Sequence, residues 1–316
     1  MKITFKTVQS AFVPSVGNIL RLSGAICLAV FALCTALSSC SSDSDEPDGP
    51  ESAEQNNDGR KLRQLTIADV PITRATLTDN GTTLGAAWKG GDKATYFNLS
   101  TFTGSDLDFG LLTASSSAAT STFTGTVRCT KDDYLALFYP ETTPILTGGN
   151  RGKFTISLSG QKGTIEDVAT NFHYVYGVGQ VTSVTETTAT ATISEMNSLL
   201  AVCKFIFKDS SNNPIPVNTL SINYDDTGYP LTGTLAPIRE VPNPTVDVVD
   251  PSEWSEPLTI TLQTETSDGV YVALFPVSKY NFFISATGSN GTYTGNAAAT
   301  LNAGKFYPVT LKLTKQ

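Results

Sequence analysis

From Leu62 to the carboxyl end, apolar and polar residues alternate in short runs broken by glycine, asparagine or proline. Successive side chains of a strand point to opposite faces, so this pattern predicts strands half buried in antiparallel sheets. Lys153-Phe154-Thr155-Ile156-Ser157-Leu158 and Leu258-Thr259-Ile260-Thr261-Leu262 are clear cases. The stretch Phe306 to Leu313 is another, with Phe306, Val309, Leu311 and Leu313 at the apolar positions. One stretch, Ile193 to Cys203, has some helical character, but it runs straight into Lys204-Phe205-Ile206-Phe207 and reads mostly as strand. The fold class is therefore all-β.

A faint internal echo divides the chain. Phe123-Thr124-Gly125-Thr126-Val127 precedes Tyr134-Leu135-Ala136-Leu137-Phe138-Tyr139-Pro140, and Leu231-Thr232-Gly233-Thr234-Leu235 precedes Tyr271-Val272-Ala273-Leu274-Phe275-Pro276. The same order in both halves favours two tandem β-sandwiches, residues 62–189 and 190–316, each long enough to bury its own core.

The first residues follow a different pattern. Lys2, Lys6 and Arg21, with no acidic residue, lead into an apolar run from Leu22 to Leu37 that is too short and too rich in small residues for a membrane span. Leu37-Ser38-Ser39-Cys40 then fits a bacterial lipobox: an aliphatic residue, two small residues and the cysteine that receives diacylglycerol. Residues 1–39 are expected to be a lipoprotein signal peptide, and lipidated Cys40 an outer-membrane anchor, each buried methylene contributing about 0.8 kcal/mol. Residues 40–61 carry Asp43, Asp45, Glu46, Asp48, Glu51, Glu54 and Asp58 but no aromatic residue, the composition of a disordered tether. The run from Ser41 to Glu46 also resembles the acidic export signal that sends Bacteroidetes lipoproteins to the cell surface; the alternative is an acidic linker without an address.

Removing 39 of the 316 residues leaves 277, with 18 basic against 29 acidic side chains and a net charge of −11. That balance, with no Lys/Arg cluster, excludes nucleic acid as a partner. Cys129 and Cys203 are the cysteines left in the folded part; they are either free buried thiols or a single pair. No cofactor, metal or catalytic residue is expected. His173 is the chain's one histidine, so a Ser-His-Asp arrangement or a histidine-based metal site would hang on it. Asp132-Asp133 and Asp225-Asp226 are adjacent carboxylates, which on a strand point apart.

An ordered set of segments carries a resemblance to a known family. It comprises Thr73-Arg74-Ala75-Thr76, Trp88-Lys89-Gly90-Gly91-Asp92-Lys93, Phe123-Thr124-Gly125, Phe138-Tyr139-Pro140, Gln161-Lys162-Gly163-Thr164 and Ala303-Gly304-Lys305-Phe306-Tyr307-Pro308-Val309. Over residues 73 to 316 the chain resembles the fimbrillins of Bacteroidales, lipoprotein subunits of type V pili. The resemblance implies two transthyretin-like Greek-key β-sandwiches and a role in cell adhesion. It further implies export as a lipoprotein, cleavage by an arginine-specific protease, loss of the first strand, and partnership with other pilus subunits through donor-strand exchange. The matching processing site is Arg74-Ala75, with Leu65-Thr66-Ile67-Ala68-Asp69-Val70 as the strand that would leave; Arg63 and Arg60 are competing sites. The segment Leu311-Lys312-Leu313-Thr314-Lys315-Gln316 follows the closing motif directly, which favours a tip, accessory or anchor subunit over a stalk subunit unless this strand is itself donated. The second class of function is a surface glycan-binding lipoprotein, for which Trp254, in the loop-like Asp250-Pro251-Ser252-Glu253-Trp254, is the candidate sugar platform.

Overall fold

The computed structural model describes residues 59–71, 76–101, 107–224, 228–237, 245–248 and 253–316. The expected signal peptide, Cys40 and nearly all of the tether lie outside the described residues. Residues 59–316 form one compact unit, all-β and built from several sheets.

Strands from residues 61–198 are β1 (Lys61–Pro71), β2 (Thr76–Asp79), β3 (Leu84–Ala87), β4 (Lys93–Asn98), β5 (Phe109–Ala114), β6 (Thr120–Cys129), β7 (Tyr134–Tyr139), β8 (Phe154–Ser157), β9 (Val175–Val184), β10 (Thr188–Ile193) and β11 (Asn197–Ser198). The main sheet runs β10-β1-β6-β5-β4-β7-β9-β11, and β10 also pairs with β9, so its first seven members close into a ring. Closure needs an unusually near approach: a Cβ at Gly179 of β9 would sit 1.9 Å from the Thr192 carbonyl oxygen of β10, which only glycine permits. Inside the ring lie Leu65, Ile67, Val70, Trp88, Leu112, Phe123, Val127, Leu135, Leu137 and Val181, all at most 1 % exposed.

The run Tyr134–Tyr139 is buried on both faces, and the reason is a second core. Leu135, Leu137 and Tyr139 face the ring interior, while Ala136 and Phe138 face outward into that core, where Phe138 stacks on Phe154 at 4.4 Å. A strand covered on both faces is apolar throughout instead of alternating.

After Leu199 and Leu200 the chain enters this second layer with β12 (Ala201–Lys208), β13 (Val217–Tyr224), β14 (Thr232–Leu235), β15 (Asp247–Val248), β16 (Leu258–Thr266), β17 (Val270–Leu274), β18 (Val277–Gly288), β19 (Gly291–Leu301), β20 (Phe306–Lys312) and β21 (Thr314–Lys315). Sheets β17-β12-β20 and β16-β13-β18-β19-β21 contribute their apolar faces to one core. A small sheet, β15-β14-β8, joins strands from both halves of the sequence. The echoing segments 123–127 and 231–235 therefore occupy different places, one in the ring and one in this joining sheet. A short helical turn, Ile165–Asp167, is capped by the Thr164 hydroxyl, which accepts from the Asp167 N–H.

Candidate functional site

The most distinctive site is the seat of β1. This strand lies between two neighbours, antiparallel to β6 and parallel to β10, with Leu65 opposite both Gly125 and Ala189. Its backbone groups are thus engaged on both edges. Leu65 and Ile67 point into the ring two residues apart; the ladder with β6 then slips, with Asp69 at φ +51°, and Val70 regains the inner face. That slip is a β-bulge, which uses one extra residue to keep all three apolar side chains on the core side. Fully burying each is worth about 1.5–3 kcal/mol. The Trp88 Nε1–H donates to the Val70 carbonyl at 2.9 Å, and the indole packs edge-on against Phe123 and Tyr139.

Two arginines hold the entry to β1. Arg60 makes a forked pair with Asp133, Nε to Oδ2 at 2.8 Å and Nη2 to Oδ1 at 2.7 Å. Asp133, 3 % exposed, also accepts from the Asn98 amide at 3.1 Å and the Thr130 N–H at 2.9 Å. Burial alone would raise the Asp133 carboxyl, but the bonds from Arg60, Thr130 and Asn98 outweigh it and hold the group below the ordinary carboxylate value. Nearby Asp108 shows the opposite balance: burial raises it, although Tyr96 donates to Oδ1 at 3.2 Å. Arg63 is buried and donates to the carbonyls of Thr185 at 2.7 Å, Lys61 at 3.2 Å and Cys129. A protease must draw its arginine into an extended, accessible conformation, so both alternatives to Arg74 are tied down by the fold. Arg74 and Ala75 themselves lie outside the described residues, in the sequence shortly after Pro71, where β1 ends.

On the far side of that gap, the β2–β3 hairpin is pinned to the second layer. Asp79 accepts from Lys204 Nζ at 2.7 Å and from the Tyr271 hydroxyl at 2.6 Å, and Lys204 lies over the Tyr271 ring. Burial raises the Asp79 carboxyl, yet the bonds from Lys204, Tyr271 and Gly81 together leave it lowered.

The remaining candidates are structural in their surroundings. Trp254 is half-buried, packed on Tyr224 at 5.2 Å and Tyr280 at 6.4 Å beside the second core. His173 is buried, its Nε2 2.8 Å from the Ser198 hydroxyl. Cys129 and Cys203 are both free and buried, in different cores, and burial raises each thiol. Asp132 is exposed while Asp133 is buried; Asp225 and Asp226 lie outside the described residues. No cluster of three metal-ligating side chains occurs among the described residues.

Sequence reasoning missed Asp133 and Asn98 as partners of the β1 entry. Nothing local marks them, because Asp133 is 73 residues from Arg60.

No family model matches the chain, and no curated protein matches it. Among solved structures, one described as a candidate cell adhesion protein from Bacteroides uniformis aligns with a TM-score of 0.50 at 15% identity, covering 82% of this chain and 94% of that one. The tip fimbrial protein Mfa3 from Porphyromonas gingivalis, truncated at its C-terminus, aligns at 0.43 and 9% identity over 80% and 95%. A fimbrial assembly protein from Parabacteroides distasonis aligns at 0.41 and 9% over 79% and 90%. The first match shows a shared fold; the other two are weaker likenesses.

Proposed function

We propose that this chain is a non-enzymatic subunit of a cell-surface fimbria that serves adhesion and assembles by strand exchange at the seat of β1. In this reading the precursor is exported as a lipoprotein anchored through Cys40 in the outer membrane. Cleavage after Arg74 then frees β1, and a strand from another subunit takes its place. The two halves act as tandem transthyretin-like domains, the first accepting the strand. A tip, accessory or anchor position suits the chain.

The observation that carries this reading is the placement of β1. It is the first described strand, it adjoins Arg74, and yet it is a central member of a closed ring. Its departure would strip hydrogen-bond partners from two strands at once and open an apolar groove, the combination that strand addition satisfies. The Asp79 clamp supports the same account, because it holds the chain just downstream of the cleavage position in place while β1 leaves. Trp254 lends no support to a glycan platform, since its ring packs against tyrosines.

A reversible lock tests the proposal. Thr66 of β1 and Thr124 of β6 face each other on the outer side of the ring, close enough for a disulfide once both are cysteine. Oxidised Thr66→Cys/Thr124→Cys protein is expected to reach the surface but not to polymerise, with assembly restored by reductant. Equal assembly of locked and unlocked protein would refute strand exchange at this site.

A further inference from the structure

We propose that Asp133 selects the incoming strand: whatever replaces β1 carries an arginine five residues before the first of its two alternate apolar residues, as Arg60 stands to Leu65 and Ile67. This deepens the strand-exchange reading and rests on it.

The argument is one of what leaves and what stays. Asn98, at the end of β4, and Thr130, in the β6–β7 turn, remain with the subunit and continue to donate to Asp133 Oδ2. The bond to Oδ1 and the third bond to Oδ2 come from Arg60, which departs with β1. What remains is a carboxylate that is 3 % exposed while Arg60 covers it, left at the mouth of the groove without its guanidinium. Asp108 lies close by: its Oδ2 has no hydrogen-bond partner among the described residues, and its carboxyl senses Arg128, which stays with the subunit, ahead of Asp133 and Arg60. Removing one partner of a buried pair is far costlier than weakening a surface one. A neutral side chain at this position therefore penalises the wrong strand, the repulsive half of specificity. Lysine supplies the charge but not the two-pronged fork, so it ranks between arginine and a neutral residue.

Arg63 does not act in this way. Its partners are backbone carbonyls, which any N–H donor satisfies. The chain's own last strand also lacks the pattern, because the residue five positions after Lys305 is the polar Thr310. The preferred donor is thus an extended segment of another subunit with the spacing Arg-x4-apolar-x-apolar, running in the direction of β1.

The test uses the full chain with a specific protease site placed between Pro71 and Thr76, nicked while folded so that β1 stays in its seat unlinked. Labelled synthetic peptides of residues 59–71, unchanged or bearing Arg60→Lys or Arg60→Gln, then compete for the seat. The unchanged peptide is expected to outcompete Arg60→Gln by about 100- to 1,000-fold, with Arg60→Lys between them. In an Asp133→Asn host the preference is expected to fall below about tenfold. Equal competition in the unmodified host overturns the role of Asp133 while leaving strand exchange standing. Failure of every peptide to enter overturns both.

Discussion

Among the described residues, the first and last long strands make an instructive pair. Both β1 and β20 run parallel to a neighbour, β10 and β12 respectively, and both put alternate apolar residues into a core. They differ at the other edge. β1 is also paired with β6, whereas among the described residues β20 has β12 as its one long-strand partner. The bonds from Val202 N to Lys305 O and from Leu313 N to Lys208 O turn the odd-numbered residues of β20 toward β12. The even-numbered ones, Pro308 among them, face the open edge, where proline offers no N–H to an approaching strand. Withdrawing β1 would open a slot with two waiting edges; β20 sits at a margin already blunted against addition. The chain thus contains one strand engaged at both edges and one that ends a sheet.

Single core truncations separate these roles most strongly. Ile67→Ala and Leu311→Ala should each cost the precursor about 2–5 kcal/mol in chemical denaturation. In assembled, processed particles only Leu311→Ala should still lower the melting temperature, because residue 67 has left. Persistence of the Ile67→Ala defect in assemblies would break the contrast.

The two ion pairs come next. Asp133→Ala, which strands the Arg60 guanidinium against a buried site, should cost about 3–5 kcal/mol. Asp79→Ala, at the more exposed hairpin clamp, should cost about 1–2 kcal/mol by the same measurement. Reversal of that order would mean that β1 is held less firmly at its entry than the hairpin that follows it.

Acid sharpens the comparison further. Asp133 and Asp79 have folded-state values below their unfolded ones, so each contributes stability that is complete above the unfolded value near 4 and is lost as pH falls through the lowered folded value. Asp108 and Asp92 are raised, so their protonation on acidification favours the fold and offsets part of that loss. Asp133→Asn should therefore flatten the fall in stability below about pH 4, whereas Asp108→Asn should steepen it. The smallest effect belongs to Lys61→Ala: its pair with Glu186 is exposed at 2.6 Å, and the melting temperature should not move measurably.

Much of this was legible in the sequence, and the limits are physical. Alternation revealed the strands around Phe154, Leu258 and Val309, because one buried face imposes a period of two. Leu65 to Val70 enters as the strand that the resemblance implies would leave. Its central place in a closed ring is not legible there, since pairing with Thr188–Ala191 and with Phe123–Cys129 depends on register between distant segments. The joining sheet of β8 and β14 was hidden for the same cause. In the sequence Arg60 and Arg63 stand as competing processing sites; only the fold reveals Asp133 and the carbonyls of Cys129 and Thr185 as their partners. Trp254, in a proline-flanked run, looked like a loop platform, while the tyrosines it packs on come from β13 and β18.

The central claim is that β1 leaves and its seat is filled from another subunit. Mass spectrometry of the amino termini in sheared surface assemblies, beside those of the membrane-retained pool, tests it most directly. The account predicts assemblies whose subunits begin at Ala75 and contain no peptide from Lys61–Pro71. Assemblies in which every subunit keeps β1 continuous with lipidated Cys40 would contradict it.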